Sequence, residues 1–234
     1  MSDDRKWAAG AAAVAEVASG MTLGLGTGST IRHFLEALGE AMAQGELRGI
    51  RGVPTSEDTA ARARVLGVPL LELDQAGTLD LAVDGADEVT PGLDLVKGLG
   101  AAHLREKMVV QATRRFVVVA DESKRVTRLG EKAPLPVEVV PFGWKAHLPF
   151  FRELGAEPRL RMRGGTDQPV RTDNGNLVVD LAFAGGIPDP AQVERALAYR
   201  AGVVETGLFL GMAHRCYLAT ARGVEILDTH EGGR

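Results

Sequence analysis

The sequence predicts an α/β protein: a parallel, helix-covered sheet followed by a smaller α+β unit. Three observations carry that expectation. Short apolar strands alternate with helical stretches through residues 4–124, the spacing of a parallel sheet buried on both faces. One of those strands, FVVVA at 116–120, is apolar at every position, as a strand covered on both sides must be. A Pro-rich crossing, EKAPLPVEVVP at 131–141, then opens a β-α-β-β-α-β run, the order of a split, ferredoxin-like unit.

The elements follow in order. Residues 4–19 are Ala-rich, with Val14 and Val17 on one side, and read as a helix. MTLGLGTGST at 21–30 reads as strand, Gly-rich turn and helix start, with Ser29 or Thr30 as the cap of the helix IRHFLEALGEAMA. Residues 48–53 form a second strand, and 54–67 a loop and helix with Glu57 in its first turn, where an acid suits the helix dipole. Residues 68–73 read as a third strand, 74–77 as a turn, and 79–83 (LDLAV) as a buried strand. A Gly-rich turn at 97–100 feeds a helix that continues over 105–113. In the second unit, strands are expected at 137–141, 157–163, 177–183 and 203–209, with helices at 144–154 and 190–200. Strands at 216–220 and 223–227 could return to the first sheet. The expected organisation is a Rossmann-like domain of residues 1–130 plus 210–234, and a small α+β domain of 131–209 that is the candidate oligomer interface.

Composition bounds the function. The chain has 234 residues and a net charge of −4, so no basic surplus points to nucleic acid or membrane. A single cysteine, Cys216, and the lack of zinc-type Cys/His spacing fit a reducing cytoplasm. The first ten residues start acidic and carry no apolar core, so no signal peptide is expected, and no apolar run nears the ~20 residues of a membrane span. The five histidines show no metal spacing and read as surface or packed residues.

Two stretches carry chemistry. GLGTGST at 24–30 lacks the third glycine of a dinucleotide fingerprint, because Ser29 stands there, and it lacks the lysine of a Walker loop. What remains is a cradle of amides and hydroxyls from Thr27, Gly28, Ser29 and Thr30, suited to a small phosphate on a helix N-terminus; the plain alternative is a tight turn. The second stretch is DGADEVTPGLDLVKGLGAAHLREK at 84–107. Its acids leave a buried strand where open α/β sheets bind ligands. Asp84 and Asp87 read either as a proton-handling pair or as turn formers, and less readily as a magnesium site. Glu106, nine residues after Lys97, reads either as a solvated helix acid or as a base beside an oxyanion-stabilising ammonium.

GLGTGST, DGADE at 84–88, KGLGAAHLREK at 97–107, Asp121-x-Ser123-Lys124, LPVEVVP at 135–141, TDNGN at 172–176 and GVVETGLF at 202–209 together resemble type A ribose-5-phosphate isomerase. The motifs fall in the family's order over nearly the whole chain. The resemblance implies interconversion of ribose 5-phosphate and ribulose 5-phosphate in the non-oxidative pentose phosphate pathway, without metal or organic cofactor. It implies Glu106 as general base and Lys97 beside the developing oxyanion. Asp84 and Asp87 would open the sugar ring and handle hydroxyl protons. It implies substrate contacts from Thr27–Thr30, from Asp84, Gly85, Ala86 and Asp87, from Lys97, Gly98, Leu99 and Gly100, and from Lys124, and it offers Lys6 as a lysine near the phosphate. A homodimer or tetramer is implied as well. One departure stands out: Leu99 interrupts the family's glycine run, so the turn must not demand a positive φ there. Two other readings compete: a sugar-phosphate sensor without turnover, and another enzyme of similar fold, an amino-sugar-phosphate isomerase/deaminase or an acyl-CoA transferase. TDNGN and LPVEVVP favour the pentose isomerase.

Overall fold

The computed structural model describes residues 3–229, so His230 lies outside the described residues. The first part of the chain forms α1 (Asp3–Val14), β1 (Thr22–Leu25), α2 (Ser29–Ala43), β2 (Arg51–Pro54), α3 (Glu57–Val65), α4 (Leu73–Ala76), β3 (Leu81–Gly85), β4 (Glu88–Val89), β5 (Leu95–Val96), α5 (His103–Gln111) and β6 (Phe116–Asp121). Next come β7 (Leu135–Val139), α6 (Leu148–Glu153), β8 (Ala156–Leu160), β9 (Leu177–Phe183), α7 (Pro190–Ala198) and β10 (Val203–Thr206), then β11 (Leu208–Phe209), β12 (Arg215–Thr220) and β13 (Gly223–Asp228).

The strands make three sheets. The large one has the order β13-β12-β6-β3-β1-β2. All its neighbours pair in parallel except β13, which runs antiparallel to β12. Both faces are covered, and the side-chain alternation of a strand sorts them. Val117 and Val119 of β6 and Leu81 and Val83 of β3 join Phe34, Leu35 and Leu38 of α2 in one core. Phe116, Val118 and Ala120 of β6 and Ala82 of β3 turn the other way, onto Val109 and Val110 of α5. From β1 the chain moves outward to β2 on one side and to β3 on the other. The carboxyl ends of β1 and β3 therefore flank a topological switch point, where a crevice opens.

The second sheet, β10-β7-β9-β8, is antiparallel throughout, which is the split βαββαβ arrangement that the run of elements predicts. Phe151 of α6 and Val193 and Leu197 of α7 pack on it. The third sheet, β11-β5-β4, is small and was not expected. Its strands are two residues each, too short for a periodic signal.

Five expectations differ from the structure. Residues 68–73 do not form a strand; they make a single bridge, Gly52 to Leu70, beside β2. Pro69 lacks a donor, so the pairing reduces to Gly52 N on Pro69 O and Leu71 N on Gly52 O. Residues 74–77 lie largely in the short helix α4. The first helix stops at Val14 instead of residue 19: i→i−3 bonds take over at Ala15–Val17, and the Glu16 carboxylate is drawn to Arg215 and Tyr217 of β12, at 2.7 Å from each. The expected strand 203–209 breaks at Gly207, whose N–H bonds Pro136 O and whose C=O accepts from Lys97 N, both at 2.8 Å, so its last residues join the third sheet. Finally, neither Ser29 nor Thr30 caps α2; the cap is Gly28 (φ 127°), which makes no side-chain bond. The first amides of α2 therefore stay open to a ligand.

Candidate active site

The loop after β1 lies directly on Asp84. A Cβ on Gly26 would stand 2.1 Å from Asp84 Oδ1, so only glycine fits there. The next residue uses this approach: Thr27 N donates to Asp84 Oδ1 at 3.0 Å, and Gly85 N donates to the same oxygen at 2.7 Å. Lys97 leaves β5, held by its own amide on Gly207, and its Nζ lies 3.0 Å from Asp84 Oδ2 and 3.2 Å from Glu106 Oε2. Its aligned hydrogen bond goes to Gly85 O at 2.6 Å; the two carboxylate oxygens, off that axis, keep acceptor capacity. Glu106 sits in the first turn of α5, on the favourable end of the helix dipole. All three side chains are 5% exposed or less, so their charges are weakly screened.

Burial and charge set the protonation states. Loss of water and the neighbouring Asp84 carboxylate push Glu106 up to about 8, against the pull of Lys97. Burial also raises Asp84, with Lys97 and the two amides working the other way. For Lys97, burial favours the neutral amine, but Asp84 and Glu106 outweigh it and hold the group as an ammonium. The two carboxylates interact, so the acids titrate as a pair.

A cavity of about 360 Å³ opens above this triad. It is lined by Lys97, Glu106, Gly85, Ala86, Asp87, Gly98 and Gly100 together with Thr27, Gly28, Ser29, Thr30 and Lys124. Lys6 joins them, donating to Ser29 Oγ at 3.0 Å. Two expected residues stand apart. Asp84 is sealed below Lys97, 2% exposed, and Leu99 turns its side chain outward, 43% exposed. Leu99 has no positive φ; the positive-φ positions in this turn fall on Gly98 (φ 103°) and Ala101 (φ 58°). The Thr27 hydroxyl does not face the cavity as a free donor, since it joins Thr55 and Ser56 at 2.8 Å each. Beside Lys124, Asp121 accepts from Ser123 N at 2.9 Å and from its hydroxyl, shaping the turn that carries the lysine. Among the described residues, no group of three or more His, Cys, Asp or Glu is placed to hold a metal ion.

Several supporting residues were not legible. Glu138, fully buried on β7, accepts from Thr172 Oγ1, Asn174 Nδ2 and Asn176 Nδ2 at 2.9, 3.2 and 2.8 Å, which fixes the TDNGN loop. That loop in turn holds Arg105, the neighbour of Glu106, through Asn174 Oδ1 at 3.0 Å. Lys107 is buried on Glu205 at 2.6 Å, and the Phe209 ring lies 5.1 Å from its Nζ and 5.5 Å from that of Lys97. His103 packs under Gly98, and burial drives it down to about 3, so it is a neutral imidazole.

The chain matches known proteins over nearly its full length. The family model described as ribose 5-phosphate isomerase A (phosphoriboisomerase A) matches residues 51–223. Ribose-5-phosphate isomerase A of Deinococcus radiodurans is 50% identical over 214 residues, 92% of this chain and 93% of the relative. That of Chloroflexus aurantiacus is 47% identical over 231 residues, 99% of this chain and 96% of the relative. A solved D-ribose-5-phosphate isomerase in complex with phospho-erythronic acid superposes with a TM-score of 0.94 at 41% identity, covering 97% of this chain and all (100%) of that one. Ribose 5-phosphate isomerase A from Methanocaldococcus jannaschii gives 0.91 at 38% identity, covering 97% of this chain and 100% of that one. The chain belongs to the ribose 5-phosphate isomerase A family, and it is an aldose–ketose isomerase that interconverts ribose 5-phosphate and ribulose 5-phosphate.

Proposed function

We propose that the sugar phosphate lies in the cavity with its phosphate on the open amides of α2, between Lys6 and Lys124, and its C1–C2 unit over Lys97 and Glu106. One observation carries this reading: a buried ammonium that touches two buried carboxylates and an uncapped helix N-terminus share one cavity. Glu106 takes the proton from C2 and returns it to C1, while Lys97 stabilises the enediolate oxygen between the two transfers. Asp87, which lines the cavity, handles the hydroxyl protons and ring opening. Asp84, sealed below, keeps Lys97 charged and raises the basicity of Glu106. The phospho-erythronic acid bound by the similar structure fits the same reading, because its planar carboxylate has the shape of an enediolate end.

Every step is a proton transfer between groups of this chain, so the reading requires neither metal nor organic cofactor. The check is ribose 5-phosphate in D₂O with excess chelator. Ribulose 5-phosphate is expected to form, with deuterium at C1 in the fraction of turnovers in which Glu106 exchanges its proton with solvent between the two transfers. No ribulose 5-phosphate formed, or turnover that needs added Mg²⁺, overturns the reading.

The protein works in the cytoplasm and associates through the 131–209 unit, as a homodimer or a tetramer. Two aromatic side chains on that unit support such a face, Phe142 at 92% exposed and Tyr199 at 91%. The double variant Phe142→Ser/Tyr199→Ser is expected to sediment as a monomer; an unchanged sedimentation coefficient removes this face from the interface. Among the described residues no helix is long and apolar enough to cross a membrane.

A further inference from the structure

Arg161 follows β8 and crosses from the four-stranded sheet to the turn that carries Lys97. Its Nη1 donates to Gly98 O at 2.8 Å and to Leu99 O at 2.9 Å. Asp180 of β9 sets the fork from behind: Nε donates to Asp180 Oδ2 at 2.9 Å, and Nη2 donates to Oδ1. The guanidinium and the carboxylate are both largely buried, so water does not compete strongly for these bonds.

The geometry of the peptide unit converts this clamp into an effect on the site. In a trans peptide the C=O and the N–H point in opposite directions. Gly98 O is held by Arg161, so the N–H of Leu99 aims away from it, and it reaches Asp87 Oδ2 at 2.8 Å. Leu99 O is held in the same way, so the N–H of Gly100 also aims away from Arg161, on the side where Gly100 lines the cavity.

We propose that Arg161, set by Asp180, is a positioning residue for the isomerisation. It locks two successive peptide planes so that one amide orients Asp87 and the next faces the reacting oxygens of the sugar. A planar, two-pronged donor is needed for this, because two carbonyls must be gripped while the carboxylate is engaged. The proposal rests on the cavity being the substrate site.

The test is steady-state kinetics of Arg161→Met, Arg161→Lys and Asp180→Asn, with melting temperatures, beside Glu106→Gln in the same assay. A properly aimed oxyanion donor is worth roughly 10²–10³ in kcat, so Arg161→Met is expected to lose about 10–100-fold in kcat with little change in KM. Arg161→Lys, which can grip one carbonyl, is expected to recover part of that loss, and Asp180→Asn to fall between. A kcat of folded Arg161→Met within about twofold of the parent overturns the proposal, even if the melting temperature drops, because the pair is then only a staple. A raised KM with unchanged kcat also overturns it, since that is a direct binding contact. If Arg161→Met does not fold, Arg161→Lys and Asp180→Asn are judged by the same kcat criterion. Near-normal turnover in Glu106→Gln sinks the reading of the site itself; an inactive Glu106→Gln beside an unaffected Arg161→Met sinks only the positioning role.

Discussion

Glu106→Gln is expected to bind ribose 5-phosphate with a KM near that of the parent and to lose about 10²–10⁴ in kcat, the worth of an aligned general base. Glutamine has the same shape and keeps contact with Lys97, so packing survives while the proton acceptor does not. Burial and Asp84 raise the Glu106 carboxyl to about 8, which gives a second readout. In the parent, kcat/KM should fall about tenfold per unit as the pH drops below that region, because the base is then protonated in the free enzyme. Asp84→Asn removes the repulsion that Asp84 exerts on Glu106, so this limb should move to lower pH. The sign for stability runs the other way. A carboxyl raised in the folded state favours folding when protonated, and that contribution is lost as the pH rises through about 8. Glu106→Gln cannot ionise, so relative to the parent it should become more stable above that pH. Near-normal kcat in Glu106→Gln would remove the residue as the base.

Lys97→Met is expected to be the costlier change overall, because it acts on both chemistry and folding. It removes the cation that, among the described residues, contacts both buried carboxylates, Asp84 and Glu106. Breaking a buried ion pair on one side costs about 3–5 kcal/mol, far above the 0–1 of a surface pair such as Arg62–Asp58. Loss of the oxyanion partner costs a further roughly 10²–10³ in kcat. The two effects separate with pH. At low pH both acids carry protons and need no counter-ion, so the stability deficit should shrink between pH 8 and 5 in denaturant titrations. A deficit that stays constant over that range would mean that Lys97 stabilises by packing alone.

How far the sequence reaches is clear from particular residues. The large sheet was legible because strands such as β6 are short apolar runs and α2 carries a periodic apolar face, and both signals are local. The placement of Asp84–Asp87 and Thr27–Thr30 followed from strand ends. The resemblance then supplied the roles proposed for them. What stayed hidden depends on contacts between distant segments. Glu88, read only as one more acid, is fully buried and accepts from the amides of Gly130, Lys132 and Ala133 at 2.5, 2.5 and 2.7 Å. It thereby fastens a crossing that composition alone presents as a linker. Arg161, just past β8, and Glu138, in β7, lie in patterns that say nothing of the neighbouring unit. The hydroxyl of Thr27 looked like a ligand donor because nothing local reveals Thr55 and Ser56 beside it.

The strand order of the large sheet has a consequence for biosynthesis. β6 is buried along its whole length, yet one of its two neighbours, β12, is encoded about 100 residues later, with Arg215 opposite Val117. At translation rates of about 5–20 residues per second, the partner emerges roughly 5–20 s after β6 does. Through that interval a strand edge that is apolar over Phe116–Ala120 waits unpaired, the kind of template on which nascent chains aggregate. The small antiparallel unit fills the intervening stretch of message, so its own speed of folding sets how long that edge stays open once the ribosome has passed it.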